Sequence, residues 1–344
     1  MVQEQPVRRA RRPTLADVAA AAGVSVPLVS IIMRDAPGAG AATRERVRKV
    51  ADDLGYRPDQ RARLLRQQRS RLLGVTFEVE QAFHGDLVEG IYAAAEPAGY
   101  DVVLSAIAPT RPETRAIDAV LDDRCEAVIL LGPRSATRAL TALAAKLPVV
   151  TIARNVRSRT VDCVRTDDLS GMSSAVGHLA QLGHRRIAYL DGGRTPGAPE
   201  RLHALHAAAA EHDVDKDLLI LPAGPEEEDG VAAIGHLLTF RPLPTALIAF
   251  NDRCAIGAIG ALHRAGLAVP REMSVVGYDD SRIARISYIN LTTVGQNPYQ
   301  LAHLAVHRAV DRLEQRPVER RDQIVRPELV VRTTTAPPGT GAAR

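Results

Sequence analysis

Tryptophan is absent from this 344-residue chain, and aromatic residues make up only 3% of it. That leaves little ring surface for a sugar-stacking platform. The three cysteines, Cys125, Cys163 and Cys254, are far apart and form no CxxC. An odd, scattered set fits a reducing compartment, where thiols stay free and structural. No GxxxxGK, HExxH or GxSxG occurs, so the common nucleotide, zinc-protease and serine-hydrolase signatures are missing. His203 with His206, and His303 with His307, have helical spacings that can offer two ligands to a metal. No carboxylate motif joins them, so no metal, cofactor or catalytic residue is expected. No apolar run reaches the ~18 residues that span a bilayer. The arginine-rich N-terminus lacks the apolar core of a signal peptide. The expectation is a cytoplasmic protein with no membrane partner.

What is present is uneven. Net charge is +4, but residues 1–71 hold fifteen Lys and Arg against seven Asp and Glu. The rest is mildly acidic. A basic head on such a body points to a polyanionic partner. Apolar residues are 46% of the chain, enough for real cores, and the length fits two or three domains.

Directly after the arginine cluster "RRARR" comes "TLADVAAAAGVSVPLVSIIM". Thr14 and Asp17 form a capping pair, and Leu15, Val18, Ala19 and Ala22 repeat at helical spacing. Gly23 ends that helix where the backbone turns left-handed. Ser25 caps a second helix, about 26–34, whose first turn accepts Pro27. Val29, Ile32 and Met33 supply its buried side. Two short helices, a glycine turn and small residues at the crossing describe a helix-turn-helix. A third helix, capped by Thr43, presents Val47, Val50, Ala51 and Leu54 and ends at Gly55. "YRPDQRARLLRQQRS" follows, with five arginines around Leu64 and Leu65. With Asp59 as its cap, it reads as a short helix too charged to stand alone, hence a linker that folds on binding.

"TLADVAAAAGVSVPLVS" and "TRERVRKVADDLGYRPDQRARLL" resemble the headpiece of the lactose-repressor-type (LacI/GalR) family of bacterial transcription regulators. The resemblance implies that the second helix enters the DNA major groove. It also implies that residues 60–67 become a hinge helix in the minor groove, where Leu65 wedges between base pairs and bends the duplex. On this basis the DNA interface comprises Thr14, Ser25, Val26, Pro27, Ser30, Ile31, Tyr56, Arg57, Ala62 and Leu65. Where the family commonly has polar base-readers, this chain has Val26, Pro27 and Ile31. Aliphatic groups cannot bond guanine but can touch the thymine methyl. Ser30, Tyr56, Arg57 and the arm arginines are expected on phosphates, where contacts position without reading sequence.

From Leu72 onward, short β-branched runs alternate with helical stretches. Strands are expected at 72–77, 101–105, 126–131, 148–152, 186–190, 245–250 and 273–278. Helices are expected at about 86–97, 112–123, 136–146, 168–182, 199–212, 228–239, 253–265 and 298–314. The alternation implies parallel α/β units, too many for one sheet and suited to two lobes. "GHRRIAYLDG", "PTALIAFNDRCAIGAIGAL", "VPREMSVVGYDD" and "LTTVGQ" extend the resemblance to the family's periplasmic-binding-protein-like domain. That implies lobe crossings near residues 163, 291 and 325, closure on a small molecule, and homodimerisation. The effector residues it implies are Phe83, Arg154, Arg201, Asn251, Asp279 and Gln296. Carboxylates and amides pair with vicinal hydroxyls, arginine offers a fork, and an aromatic covers an apolar face. Asp252 is expected to cap a helix, and Phe83 serves equally as core. The family's aspartate before Arg154 is Ala153 here, and its asparagine and proline before Phe83 are Gln81 and Ala82. "EEED" is expected to be solvated loop charge, and "APPGTGAAR" a disordered tail.

The expected fold is an N-terminal all-α helix-turn-helix headpiece plus an α/β periplasmic-binding-protein-like domain of two parallel-sheet lobes. The divisions are a basic arm (1–13), headpiece (14–58), hinge (59–70), two-lobed domain (71–335) and tail (336–344). The expected function is a repressor-type transcription regulator. It would bind a pseudo-palindromic double-stranded DNA operator as a homodimer, with a sugar or related metabolite as effector. Induction and co-repression are both compatible with the sequence. The alternatives are a small-molecule-binding or sugar-modifying protein with an interaction module at its head, and an orphan regulator without effector.

Overall fold

The computed structural model describes residues 13–33, 35–56 and 69–339. The chain divides into two compact units, Met1–Ser70 and Arg71–Arg344.

In the first unit, α1 is Leu15–Ala22, α2 is Val26–Met33 and α3 is Ala41–Asp53. The Thr14 hydroxyl accepts the Asp17 N–H, and the Asp17 carboxylate accepts the Thr14 N–H at 2.7 Å, closing the capping box. Gly23 stops α1 at φ +63°, the left-handed conformation that a residue lacking Cβ adopts freely. The axes of α1 and α2 then diverge by 106°, within the range of a helix-turn-helix. Val18, Ala19, Ala22, Val29, Ile32, Val47 and Ala51 form the buried core. Met33 only borders that core. The third helix corrects the expected cap, because Gly40 rather than Thr43 precedes it and supplies no side-chain bond. Arg44, in the first turn, instead ties down the segment that precedes the helix. Its Nε donates to the Ala39 carbonyl at 3.1 Å, and its Nη1 reaches Asp35 at 3.3 Å. Asp59 and most of the expected hinge (59–70) lie outside the described residues, as does nearly all of the arm.

The second unit runs in order through β1 (Leu72–Glu78), α4 (Ala82–Ala95), β2 (Asp101–Ile107), α5 (Glu113–Asp122), β3 (Ala127–Leu131), α6 (Thr137–Ala144), β4 (Val149–Ile152) and β5 (Asp162–Thr166). It continues with α7 (Asp168–Gln181), β6 (Ile187–Asp191), α8 (Ala198–Glu211), β7 (Leu219–Pro222), α9 (Glu227–Leu237), β8 (Ala246–Ala249), α10 (Asp252–Arg264) and β9 (Ser274–Asp279). β10 (Thr292–Gly295), α11 (Pro298–Leu313), β11 (Asp322–Val325) and β12 (Glu328–Val330) complete it.

Two six-stranded sheets result. The first has the order β11-β5-β4-β3-β1-β2 and is wholly parallel. The second, β12-β10-β9-β8-β6-β7, is parallel except for β12. The continuous apolar run of β3 reflects burial on both faces. Ile129 and Leu131 pack with Leu87 and Ile91 of α4, while Val128 and Leu130 pack with Val120 and Leu140. The second sheet repeats the arrangement between α7 with α8 and α9 with α10.

All seven expected strands are present, and five more join them: β5, β7, β10, β11 and β12. The chain crosses between lobes after β5, after β10 and after β11, close to the expected positions. These crossings are tied to one another. The Asp167 N–H donates to the Val325 carbonyl at 2.8 Å, and the Thr166 hydroxyl to Gln296 Oε1 at 2.6 Å. The expected disordered tail is corrected at its start. Ala336 donates to the Ser274 hydroxyl at 3.0 Å, and its carbonyl lies 2.9 Å from His184 Nε2; residues 340–344 lie outside the described set. "EEED" is corrected too. Glu226 and Asp229 form a capping box on α9, and Arg253 pairs with Glu226 and Glu227.

Candidate functional site

Val26, Pro27, Ser30 and Ile31 share one side of α2, opposite the buried Val29 and Ile32. Ser25, Val26 and Pro27 are exposed, and Ser30 and Ile31 partly so. Ser25 accepts the Leu28 N–H at 3.4 Å, so this hydroxyl caps the helix as expected. The first turn of α2 carries no acid. Its positive dipole end and small side chains therefore form a surface that tolerates a phosphate. Thr14 is partly exposed and committed to its capping box. Tyr56 packs against the headpiece core. Arg57, Ala62 and Leu65 lie outside the described residues.

The second site lies between the lobes, at the carboxyl ends of both sheets, where open α/β folds bind ligands. Its lining includes Phe83, Arg201, Asn251, Asp279 and Gln296, five of the six residues expected there. Arg201 is the organising group. It is buried, its Nη1 donates to the Phe250 carbonyl at 2.7 Å, and its Nη2 stands 3.6 Å from Asp279. Its Nε has no hydrogen bond; the Asp168 carboxylate is 3.4 Å away. The guanidinium carbon lies 3.8 Å from the Tyr278 ring centroid and 4.7 Å from that of Phe250, within cation–π range. Gln296 bridges the crossovers between the lobes, donating to Asp279 at 2.6 Å while accepting from Thr166. Burial pushes the Asp279 carboxyl above the ordinary carboxylate range, against the pull of Arg201 and Gln296. Burial also raises Asp168, opposed by Arg201 and the Tyr278 hydroxyl at 2.7 Å. Ala153 and Asp279 both take positive φ, +61° and +118°, strain of the kind that collects at binding sites.

Three expectations change. Arg154 does not join the cleft: its Nη1 donates to the Pro133 carbonyl at 2.7 Å, and the left-handed turn at Ala153 directs the chain away. The cap of α10 is Asn251, whose Oδ1 accepts the Cys254 N–H at 2.9 Å. Asp252 instead joins two segments, accepting from Thr293 Oγ1 at 2.6 Å and from the Ser281 N–H at 2.7 Å. Phe83 serves both roles, packing into the first lobe's core and lining the cleft.

Sequence reasoning missed Asp168, Phe250, Tyr278, Thr195 and His84. Asp168 follows β5, a strand too short and polar to see. His84 follows Phe83 directly, but nothing in the sequence says that its ring is buried. Its Nδ1 accepts the Glu78 N–H at 3.0 Å, which leaves the proton on Nε2, beside Gly132. Burial pushes its pKa down to about 4, so the ring is a neutral donor at the cleft wall.

The cleft encloses about 50 Å³, room for a few waters. Contacts across it hold its lobes together: Arg253 to the Glu80 carbonyl at 2.6 Å, Gln81 to Glu226 at 3.2 Å, and Arg282 to Asp86 at 2.8 Å and to Glu89. Among the described residues no group of three or more His, Cys, Asp or Glu is placed to hold a metal. The rings of His303 and His307 pack against each other, tilted by 41° with centroids 4.1 Å apart. No single described helix is long and apolar enough to cross a membrane.

A helix-turn-helix headpiece followed by a two-lobed cleft domain defines a class, the ligand-responsive DNA-binding regulator. Residues 14–59 match the bacterial regulatory proteins of the lacI family, and residues 176–335 match the periplasmic binding protein-like domain. The chain is 31% identical to the HTH-type transcriptional regulator GalR of Escherichia coli (strain K12), over 96% of this chain and 98% of that protein. It is 30% identical to the HTH-type transcriptional regulator DegA of Bacillus subtilis (strain 168), over 96% and 100% respectively. A solved LacI transcriptional regulator from a Rhodococcus species is 45% identical with a TM-score of 0.75, covering 77% of this chain and 98% of its own. The lac repressor dimer bound to operator and the anti-inducer ONPF is 28% identical with a TM-score of 0.82, covering 95% and 100%. This chain belongs to the lacI family of bacterial regulatory proteins. Its relatives are transcriptional regulators, not enzymes.

Proposed function

We propose that this regulator binds a pseudo-palindromic operator as a homodimer in the cytoplasm, and that a neutral, hydroxyl-rich small molecule in the inter-lobe cleft controls its operator affinity. The division into arm (1–13), headpiece (14–58), hinge (59–70), effector and dimerisation domain (71–335) and tail follows from this reading. Val26, Pro27 and Ile31 face base edges; Thr14, Ser25, Ser30, Tyr56 and Arg57 approach phosphates; Ala62 and Leu65 enter the minor groove. In the cleft Arg201, Asp279, Asn251 and Gln296 present the polar groups, with Phe83 as the apolar wall.

One observation carries the ligand class. The cleft's one deeply buried cation, Arg201, already lies between two carboxylates, Asp168 and Asp279. An anionic ligand would meet no surplus positive charge, whereas vicinal hydroxyls find both a forked donor and acceptors. A sugar or nucleoside matches these groups and enters as the lobes part, since the closed cleft holds only about 50 Å³. Binding there changes how the lobes close along the tied crossovers, and by linkage the ligand and the operator alter each other's affinity by the same factor.

Calorimetry with matched neutral and phosphorylated monosaccharides and nucleosides tests the assignment. The neutral compounds bind and the phosphorylated ones do not, and Arg201→Lys removes binding. Tighter binding by a phosphorylated compound contradicts the reading. Titrating the bound compound against labelled operator gives the sign of control.

A further inference from the structure

Several polar side chains around the cleft already hold protein partners. Asn251 donates to the Pro225 carbonyl and accepts from Cys254, and Gln296 is held by Asp279 and Thr166. His84 differs from both. We infer that His84 is the first lobe's specificity-determining residue, whose Nε2–H selects an effector that places an uncharged acceptor oxygen between the lobes. The inference rests on the cleft being the effector site.

The direction of the donor follows from bonding alone. The backbone N–H of Glu78, the last residue of β1, can only donate, and it meets His84 Nδ1 at 3.0 Å. Nδ1 therefore keeps its lone pair, and the neutral ring carries its proton on Nε2. His84 is 8% exposed, and Nε2 donates to nothing among the described residues. A buried donor without an acceptor is costly until something supplies one. Nor is this atom sealed in, as the unpaired Nε of Arg201 is. It opens toward the second lobe. A methyl group on Gly132 would stand 3.6 Å from His84 Nε2 and 3.8 Å from Pro196 Cβ, so both lobes border the space that this glycine leaves free. Gly132 takes φ +51°, a conformation that favours glycine and keeps the space open.

Across that space the second lobe offers complementary groups. Asp279 meets Gln296 and Arg201 through Oδ1, which leaves Oδ2 to accept from a ligand. Thr195, beside Pro196, adds a hydroxyl to the lining. A ligand that accepts from His84 and donates to Asp279 is held by both lobes at once. Phe83 supplies an apolar surface next to the donor, so the acceptor oxygen sits on the edge of a C–H face, as in a sugar ring. Burial pushes the His84 pKa down to about 4, and the neutral ring offers no charge to a carboxylate or phosphate.

The test uses the full-length protein and calorimetry. Glucose, galactose, ribose and uridine, with every mono-deoxy analogue of each that binds, are titrated into the parent protein, His84→Asn and His84→Gln. Asn keeps an acceptor near the Glu78 N–H but ends short of the cleft, whereas Gln reaches the Nε2 position with an amide N–H. In the parent, one deoxy analogue should bind about tenfold or more weakly than its hydroxylated form, because the buried donor is left unpaired. In His84→Asn that gap should shrink below about twofold while the gaps at other positions persist, the signature of a direct pair. His84→Gln should restore part of it. A residue that only supports the fold would change all analogues alike. Isotope-labelled histidine gives a readout without substitution: on addition of the binding compound, the Nε2–H of one ring should exchange more slowly with water. A change in His84→Asn that is the same for every analogue, or no protected Nε2–H, overturns the inference. If binding nonetheless occurs and Arg201→Lys abolishes it, the cleft assignment stands alone. If no compound binds, both fall.

Discussion

Arg201 owes its position to chemistry that the sequence only half displays. The arginine, Asp279, Gln296, Asn251 and Phe83 are legible because each sits in a family motif that ends a strand. Asp168 and Tyr278, which complete the arginine's surroundings, carry no such mark. Arg154 shows the opposite failure, a motif position whose side chain the left-handed turn at Ala153 sends elsewhere. Replacing Arg201 by Met leaves Asp168 and Asp279 buried without their cation. Urea unfolding should show a loss of about 3–5 kcal/mol, the scale of a broken buried pair. His84 gives a pH prediction. In the unfolded chain it binds a proton below about 6.5, in the folded chain only near 4. Between those values the unfolded state holds more protons, so stability falls as pH drops from 6.5 toward 4. Calorimetric melting of His84→Asn, which keeps an acceptor for the Glu78 N–H, should show a flatter acid limb than the parent protein. On the DNA side, Val26, Pro27 and Ile31 have only aliphatic contacts to offer. Replacing contacted thymines by uracil should weaken binding by up to about 0.8 kcal/mol per methyl. Unchanged affinity in a competition titration contradicts that readout.

Among the elements, the headpiece was readable because its start and stop signals are local. Thr14 with Asp17, Gly23, and Ser25 with Pro27 each do in the fold what their residue types imply. Thr43 failed as a cap because the helix starts earlier, at Ala41, after a turn that Arg44 ties to Ala39 and Asp35. The missed strands failed for a related reason. β5, β7, β10, β11 and β12 have only three to five residues each; four of them include polar residues and β7 ends in proline. They exist because neighbouring strands offer an edge, which is tertiary information. Thr14→Ala removes one half of the capping box and should cost about 1 kcal/mol. Hydrogen exchange should then show α1 opening more often, with exchange in the second unit unchanged. Equal protection in α1 contradicts the box's role.

At the scale of the molecule, the second lobe grips one segment of the first. Residues 80–89 of the first lobe meet Arg253, Glu226 and Arg282 of the second. The tied crossovers lie at the other side of the cleft, so these contacts set how far the lobes part. Arg282→Ala should widen the distance between spin labels at Glu96→Cys and Tyr288→Cys, and added salt should do the same in the parent protein, since Arg282 is exposed. An unchanged distance contradicts the latch. The two-lobe organisation was legible from strand and helix alternation; the latch was not, because its partners are far apart in sequence.

The most direct measurement takes the full-length protein, lets it select duplexes from random DNA, and compares the affinity of the selected duplex with that of random sequence. It is made at moderate salt, with and without a compound that binds the cleft. The account predicts a pseudo-palindrome bound about a thousandfold or more tighter than random DNA, and an affinity that the cleft compound shifts at least about fivefold. A protein that prefers no duplex over random sequence under either condition contradicts it.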